Sequence, residues 1–345
     1  MSIYILKKSD YEITAIYYSL GNICIKKIEK GMWGKEEIVA SGVKPEFSVF
    51  EYNSNYMVIY QKKNGSMYLC ENGKEEVKIL ESLGDEKNDI VINAEIWNNQ
   101  MELIYNLPDR NGEYIVRQKK RADSNWSKPE KIDDFIPFNN SFFKVHYAGK
   151  NNKVIFYQKR MPEIQFGYRE VNENISNFKM VYATGYYITD YSYVITEDSI
   201  HFVFLLSGIY GSKIVYVRKE SNKVSTAKTI VENTLARDCI IAIIQNKVCI
   251  WWRTARKLYS IVSYDMGESF KQQGLYKGKF ETNSVKAVLG DKYIANEVYV
   301  PSDKPYLMEL LPVDNIVQTQ SIAEQEEIER LRKKVKDLEM RIRGK

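Results

Sequence analysis

The sequence predicts an all-β fold of repeated four-stranded units closed into a ring, and three observations predict it. The first is a spacing. A short apolar strand ending in an aromatic recurs about every 47 residues, at Tyr18, Tyr60, Tyr105, Tyr157, Phe204, Trp252 and Tyr299. A strand-based period of roughly 40–50 residues is the signature of a β-propeller, in which each unit buries its faces only against its neighbours. The second is composition: 26 Tyr, 13 Phe and 5 Trp in 345 residues. Tyr suits a half-buried strand, because its ring is apolar and its tip reaches water. The third is a change of period near Ser321, where strand alternation gives way to apolar steps of three and four. The reading is a seven-bladed β-propeller over residues 1–313, with six blades as the alternative. A linker and a C-terminal α-helix of coiled-coil type follow over 314–345.

The units parse in order. Residues 2–40 supply SIYILKK, ITAIYYS, ICIKKIE and EEIVA. The second unit has FSVFEYN, YMVIYQK, SMYLC and EVKIL. The third has IVINAEIWN, MELIYNL, YIVRQKK and a last strand near KPEKI. The fourth is the plainest: SFFKVHYA, KVIFYQK, IQFGYRE and FKMVYAT, joined by short polar turns. The fifth has YSYVITE, IHFVFLL, KIVYVRK and AKTIV, and the sixth CIIAII, VCIWWR, LYSIVS and FKQQGLY. The seventh has VKAVLG, YIANEVYV and PYLMELL and lacks a clear fourth strand. An unclosed ring leaves two edges open to pairing, and SIYIL is available as the missing outer strand of the last blade.

The tail differs in kind. Ile328, Leu331, Val335, Leu338 and Ile342 form a heptad seam, with β-branched residues alternating with Leu. Pairs such as Glu329–Lys333 stand at helical spacing. A lone helix of about 20 residues is marginal in water, so it needs a partner. Self-association as a parallel dimer is the favoured expectation. A different partner, or docking on the ring, is the alternative.

Bulk properties exclude several classes. The net charge of +5 is dispersed in Lys–Glu mixtures such as GKEEVK, whereas a nucleic-acid binder concentrates its basic residues. Cys24, Cys70, Cys239 and Cys249 form no CxxC pair and read as buried free thiols. With only His146 and His201 available, no metal site and no cofactor are expected. The start MSIYILKKSD is too short and polar for a secretory signal. No apolar run approaches the ~18 residues of a membrane span. The expectation is a cytoplasmic protein with no membrane contact.

One motif stands out. SYDMGESF at 263–270 fits Ser-x-Asp-x-Gly-x-Ser/Thr-Phe/Trp through Ser263, Asp265, Gly267, Ser269 and Phe270. Degenerate versions precede Trp33, Trp126 and Phe178. The chain therefore resembles the Asp-box (BNR repeat, sialidase-like) propellers. The resemblance covers the ring in pattern and eight residues closely. It implies a loop on the face away from substrate. In physical terms the Asp accepts backbone N–H groups, the Gly permits a left-handed backbone, and the aromatic plugs the gap between blades.

The resemblance also raises sialidase activity, which the residues oppose. Enzymes of that family use an Arg-Ile-Pro motif and three converging arginines, with a Tyr–Glu nucleophile pair and an Asp acid. This chain has no Arg-Ile-Pro and no arginine before Arg110. Lysine does not replace a bidentate guanidinium. No Gly-x-Ser-x-Gly, phosphate loop or dinucleotide fingerprint occurs either. His146 and His201 both lie in alternating strands and read as packed residues.

A ligand would meet the loops that lead into the innermost strands, at the mouth of the central channel. The candidates there are Glu46, Asp89, Asn140, Asp190, Arg237, Asp238 and Asn283, with Lys44, Asn88, Asn139 and Thr189 beside them. Arg237 with Asp190 and Asp238 is the most chemical group among them. The leading expectation is a non-enzymatic propeller that binds a protein or glycan and is multiplied by its helix. A glycoside hydrolase or lyase at the channel mouth is one alternative. A structural component of a surface, phage or spore-coat layer is the other.

Overall fold

The computed structural model describes residues 3–9, 12–29, 32–52, 55–81, 90–97, 100–109, 112–121, 125–138, 143–148, 152–208, 211–221, 223–244, 246–254, 257–276, 283–288, 293–294, 297–300 and 317–318. All regular structure among them is β. Asp89, Asn140 and the heptad residues Ile328, Leu331, Val335, Leu338 and Ile342 lie outside the described residues.

The described strands form six sheets, each built on an antiparallel run of four in chain order to which three of the sheets add further short strands. Sheet one holds Ile3–Ser9, Glu12–Ser19, Asn22–Glu29 and Glu37–Ser41. Sheet two holds Val43–Tyr52, Asn55–Lys62, Met67–Glu71 and Glu76–Leu80. Sheet three holds Ile92–Trp97, Gln100–Asp109, Gly112–Arg121 and Glu130–Phe135. Sheet four holds Lys144–Ala148, Asn152–Met161, Glu163–Glu170 and Lys179–Thr184. Sheet five holds Tyr187–Ile195, Ser199–Gly208, Gly211–Glu220 and Lys228–Thr234. Sheet six holds Asp238–Ile244, Lys247–Arg253, Leu258–Ser263 and Lys271–Tyr276.

Every sheet carries the same irregularity. Where the third strand pairs with the fourth, one residue of the fourth is skipped: Val39, Ile79, Ile132, Val181, Ile230 and Gln272. Five of the six are β-branched. A bulge there bends and twists the outermost strand, which blunts its open edge against pairing with another chain. Recurrence of one device six times shows that the sheets are copies of one unit.

From sheet one to sheet six, consecutive sheets pack face to face. Ile16 and Ile23 of sheet one meet Phe47 and Val58 of sheet two. Ile59 and Met67 meet Ile92 and Leu103. Ile104 and Ile115 meet Ile155 and Tyr157. Phe156 and Phe166 meet Phe202 and Phe204, and Val203 and Ile214 meet Ile241 and Ile250. The sheet four–five junction is aromatic: the Phe166 and Phe204 rings meet edge to face at 4.8 Å, and Phe156 and Phe202 at 5.4 Å. Such pairs add about 0.5–1.5 kcal/mol each beyond the burial of their area.

The innermost strands of sheets two to five have one edge without a strand partner among the described residues, and side chains reach across to the backbone of neighbouring innermost strands. The Ala94 N–H donates to Ser48 Oγ at 3.2 Å, and the Ile241 N–H to Ser192 Oγ at 3.4 Å. Lys144 Nζ donates to the Tyr191 carbonyl at 2.7 Å, and the Tyr4 hydroxyl to the Phe47 carbonyl at 2.8 Å. Buried backbone groups therefore find partners without a continuous inner barrel.

Closure corrects two expectations. The described strands of the expected seventh unit form no sheet of their own. Asn283–Val288 runs parallel to Ile3–Ser9 on sheet one, and Glu297–Val300 pairs with it. Tyr293–Ile294 pairs with the inner strand of sheet six, and Val317–Gln318 pairs with its outer strand. Six sheets, the expected alternative, is thus the number among the described residues. SIYIL is the first strand of sheet one, paired antiparallel with Glu12–Ser19, and not an outer strand of the last blade. The physical reason is that alternation marks a strand without marking which edge it joins. The strands Asn283–Val288 and Tyr293–Ile294 pair with sheet one and sheet six respectively, and the arrangement of sheets is that of a β-propeller.

Candidate functional site

The structure brings three of the expected residues together where sheet five meets sheet six. Asp190 follows a bulge at Thr189, whose hydroxyl donates to the Leu205 carbonyl at 3.1 Å. Asp190 is buried, and its carboxylate accepts the Cys239 N–H at 3.3 Å. Asp238, next along the chain, is half-buried and pairs with Arg253, its partner in strand register. Arg237 is exposed, and its backbone N–H donates to the Arg253 carbonyl at 2.8 Å. This junction presents two guanidinium groups and a carboxylate on a fixed backbone. Glu46 stands half-buried in Val43–Tyr52, on a different sheet. Asn283 stands in the strand beside Ile3–Ser9.

The 263–270 loop falls between the third and fourth strands of sheet six. The Gly267 N–H donates to Ser263 Oγ at 2.7 Å, and Ser263 Oγ donates to Asp265 at 2.6 Å. Ser269 donates to the Asp265 carboxylate through its N–H at 2.8 Å and its hydroxyl at 2.5 Å. These bonds from Ser263 and Ser269 hold the Asp265 carboxyl far below the usual carboxylate range. Sheet five clasps the loop from outside. Arg218 donates to the Met266 carbonyl at 2.8 Å and to Glu268 at 2.6 Å, and Lys228 donates to the Gly267 carbonyl at 2.8 Å. The Phe270 ring stands edge-on to Tyr216 at 4.9 Å. Sheet three repeats the clasp on sheet four, where Arg117 donates to the Asn172 and Glu173 carbonyls.

Gly267 combines φ of +93° with a Tyr216 hydroxyl that would lie 1.9 Å from an added Cβ. Gly267→Ala is therefore expected to cost about 2–4 kcal/mol in urea unfolding, because strain and overlap add. Ser269→Ala removes hydrogen bonds alone and is expected to cost about 1 kcal/mol.

His201 lies wholly buried between Ser199 Oγ at 2.8 Å and the Tyr216 hydroxyl at 2.7 Å. Burial, with Arg218 nearby, drives its pKa down to about 4. A base needs a partner that welcomes the imidazolium. Here the partner is a neutral phenol, and a guanidinium opposes the charge. The chain Ser199–His201–Tyr216 links a turn of sheet five to the 263–270 loop. His146 is packed edge-on against Tyr193 at 5.7 Å, and burial lowers its pKa. All four cysteines are buried free thiols.

The largest polar assembly was not expected from the sequence. It lies between sheets three and four. Glu102 and Lys153, each 1% exposed, form a direct ion pair across the junction. Arg117, 3% exposed, lies 3.8 Å from the other Glu102 oxygen and donates through Nε to Glu130 at 2.9 Å. Farther out, the Asp133 carboxylate accepts from Lys159 at 2.7 Å, from Arg169 at 2.8 Å and from the Tyr157 hydroxyl. Burial pushes the Asp133 carboxyl up, and these three donors outweigh it and hold it low. On the innermost strand Glu95 stands directly opposite Glu102, and burial pushes its pKa up to about 7. Burial also lowers the Lys153 pKa in spite of Glu102.

Fold and site together define a propeller whose sheets are locked by charge at one junction and by aromatics at the next. No protein-family model matches the sequence, and no curated protein matches it. Solved structures do show likeness. The six-bladed fungal lectin of Aleuria aurantia shares 10% identity over 80% of this chain and 94% of its own, with a TM-score of 0.48. A neuraminidase-like protein of a flat-faced bat strain shares 9% identity over 79% and 85%, with a TM-score of 0.47. A thermostable family-43 glycoside hydrolase shares 11% identity over 69% and 93%, with a TM-score of 0.38. Likeness at this level decides no activity, since one fold serves many functions.

Proposed function

We propose that this propeller is a non-enzymatic binding module for a protein or glycan partner. One observation carries the reading. The buried polar clusters hold sheets and turns together, whereas at the sheet five–six junction Arg237 is exposed beside Asp238, which is partly buried and paired with Arg253. Glu95 and Glu102 face each other like the two carboxylates of a glycosidase, but Glu102 is 1% exposed and cannot touch a substrate. In this reading 263–270 is an Asp-box that shapes the sheet rather than a ligand site. The segment 314–345 multiplies the ring as a parallel coiled-coil dimer through Ile328, Leu331, Val335, Leu338 and Ile342, adding avidity.

A glycan array and a partner pull-down test the reading, with Arg237→Ala and Asp238→Asn as variants. Loss of binding by about tenfold or more, with unchanged melting temperature, is the expected result. Turnover of a chromogenic glycoside that disappears on changing a carboxylate at this junction would replace binder by enzyme. Sedimentation of the chain without 321–345, which keeps the strand Val317–Gln318, is expected to halve the mass.

A further inference from the structure

His201 is sealed into the sheet five–six junction by contacts that suit its neutral form. It stands two residues before Val203, on the face of its strand that packs on Ile241 and Ile250 of sheet six. It is 0% exposed. Its Nε2 is bonded to Ser199 Oγ at 2.8 Å and its Nδ1 to the Tyr216 hydroxyl at 2.7 Å. The 263–270 loop of sheet six covers this chain of groups. The Tyr216 hydroxyl abuts Gly267 and lies 3.5 Å from the Met266 carbonyl, and its ring meets Phe270 edge-on. A neutral imidazole donates one bond and accepts one, and a hydroxyl can serve on either side. An imidazolium accepts none, so the hydroxyl that had donated to the ring needs another acceptor. The carbonyl beside Tyr216 is that of Met266, which already takes Arg218 at 2.8 Å.

We propose that His201 is the sensor of an acid-sensitive clasp, in which protonation of its ring releases the 263–270 loop from sheet five. The charged and titratable groups around it are Tyr216, Arg218 and Glu220 on Gly211–Glu220, Lys228 on the outer strand of sheet five, and Asp265 and Glu268 on the loop. Arg218, which grips the loop, opposes a second positive charge beside it. The loop keeps its own bonds through the change. Ser263 and Ser269 hold the Asp265 carboxyl far below the usual range, so it stays ionised at pH 5. In the clasped state burial, with Arg218, holds the imidazole pKa at about 4, and a released, hydrated imidazole returns to about 6.5. The released form therefore binds a proton that the clasped form lacks, and its share rises as pH falls from 6.5 toward 4. Between pH 7 and pH 5 the rise is about 20-fold. The clasp is independent of what the ring binds.

Hydrogen exchange of the full chain at pH 7 and pH 5, read by mass spectrometry and corrected for the intrinsic rate, tests the clasp. Val154–Tyr157 of sheet four serves as the internal reference. Protection of 263–270 is expected to fall about 20-fold in the parent while the reference holds. His201→Gln can still donate and accept but does not titrate, so its loop protection is expected to stay flat over the same range. Glu268→Gln removes the exposed carboxylate that faces Arg218 and is expected to keep the parent's response. Unchanged loop protection in the parent would overturn the proposal, and so would equal loss at the reference, which means global loosening. A response that persists in folded His201→Gln, or disappears in Glu268→Gln, would also overturn it. The parent's loop-to-reference ratio decides the matter even where a variant does not fold.

Discussion

Lys153→Met is expected to destabilise the ring by about 3–5 kcal/mol, the usual cost of stranding one charge of a buried pair. Both partners are 1% exposed, so no water replaces the lost ammonium. Glu102 would then face only Arg117 at 3.8 Å. Glu102→Gln alone is expected to cost nearly as much, since it removes the carboxylate paired with the buried Lys153 ammonium. The double variant Glu102→Leu with Lys153→Met should recover most of the loss, because two apolar side chains of similar reach avoid both desolvation penalties. Urea midpoints for the two singles and the double measure the coupling. Equal and additive losses would mean that the charges do not depend on each other.

Glu95 is expected to make the ring more stable at pH 5 than at pH 8. Burial raises its folded pKa to about 7 from an ordinary 4.5. The folded chain therefore holds a proton that the unfolded chain releases in that window, and stability falls as pH rises through it. The contribution is fully present below the unfolded value and is lost above the folded one. Its size is about 2–3 kcal/mol, allowing for a side chain that is only half-buried. Glu95→Gln removes the titration, so the variant should match the parent near pH 5 and exceed it at pH 8. His201, with its pKa driven down to about 4, acts in the opposite sense between there and 6.5. The difference curve between parent and Glu95→Gln cancels that effect and isolates the glutamate. A flat difference curve would show Glu95 to be solvated.

Much of the fold was legible. The aromatic at the end of each second strand fixed the period, and Tyr60, Tyr105, Tyr157 and Trp252 are all buried at that position. What the pattern did not show is pairing. The sequence from 283 to 300 alternates like any blade, yet its described strands pair with sheets one and six. The bulges at Val39, Ile132 and Val181 were invisible too, because one skipped residue alters neither composition nor alternation. Arg237 and Asp238 are conspicuous in the sequence as a charged turn between two apolar strands, and the fold adds their closeness to Asp190. The sheet three–four charges were not. Glu102 and Lys153 begin apolar runs and read as solvated strand ends. A signal did exist: opposite charges 51 residues apart, about one period, fall on adjacent sheets at similar depth.

The account depends on a ring that closes between its first strand and the segment after sheet six. Ile5 and Ala287 are partners in the parallel pairing of Ile3–Ser9 with Asn283–Val288. Cysteines placed at both positions should form a disulfide on mild oxidation, seen by mass after proteolysis, and should raise the melting temperature. A pair that stays reduced under the same oxidant, in a chain that still folds, would mean that these strands do not meet.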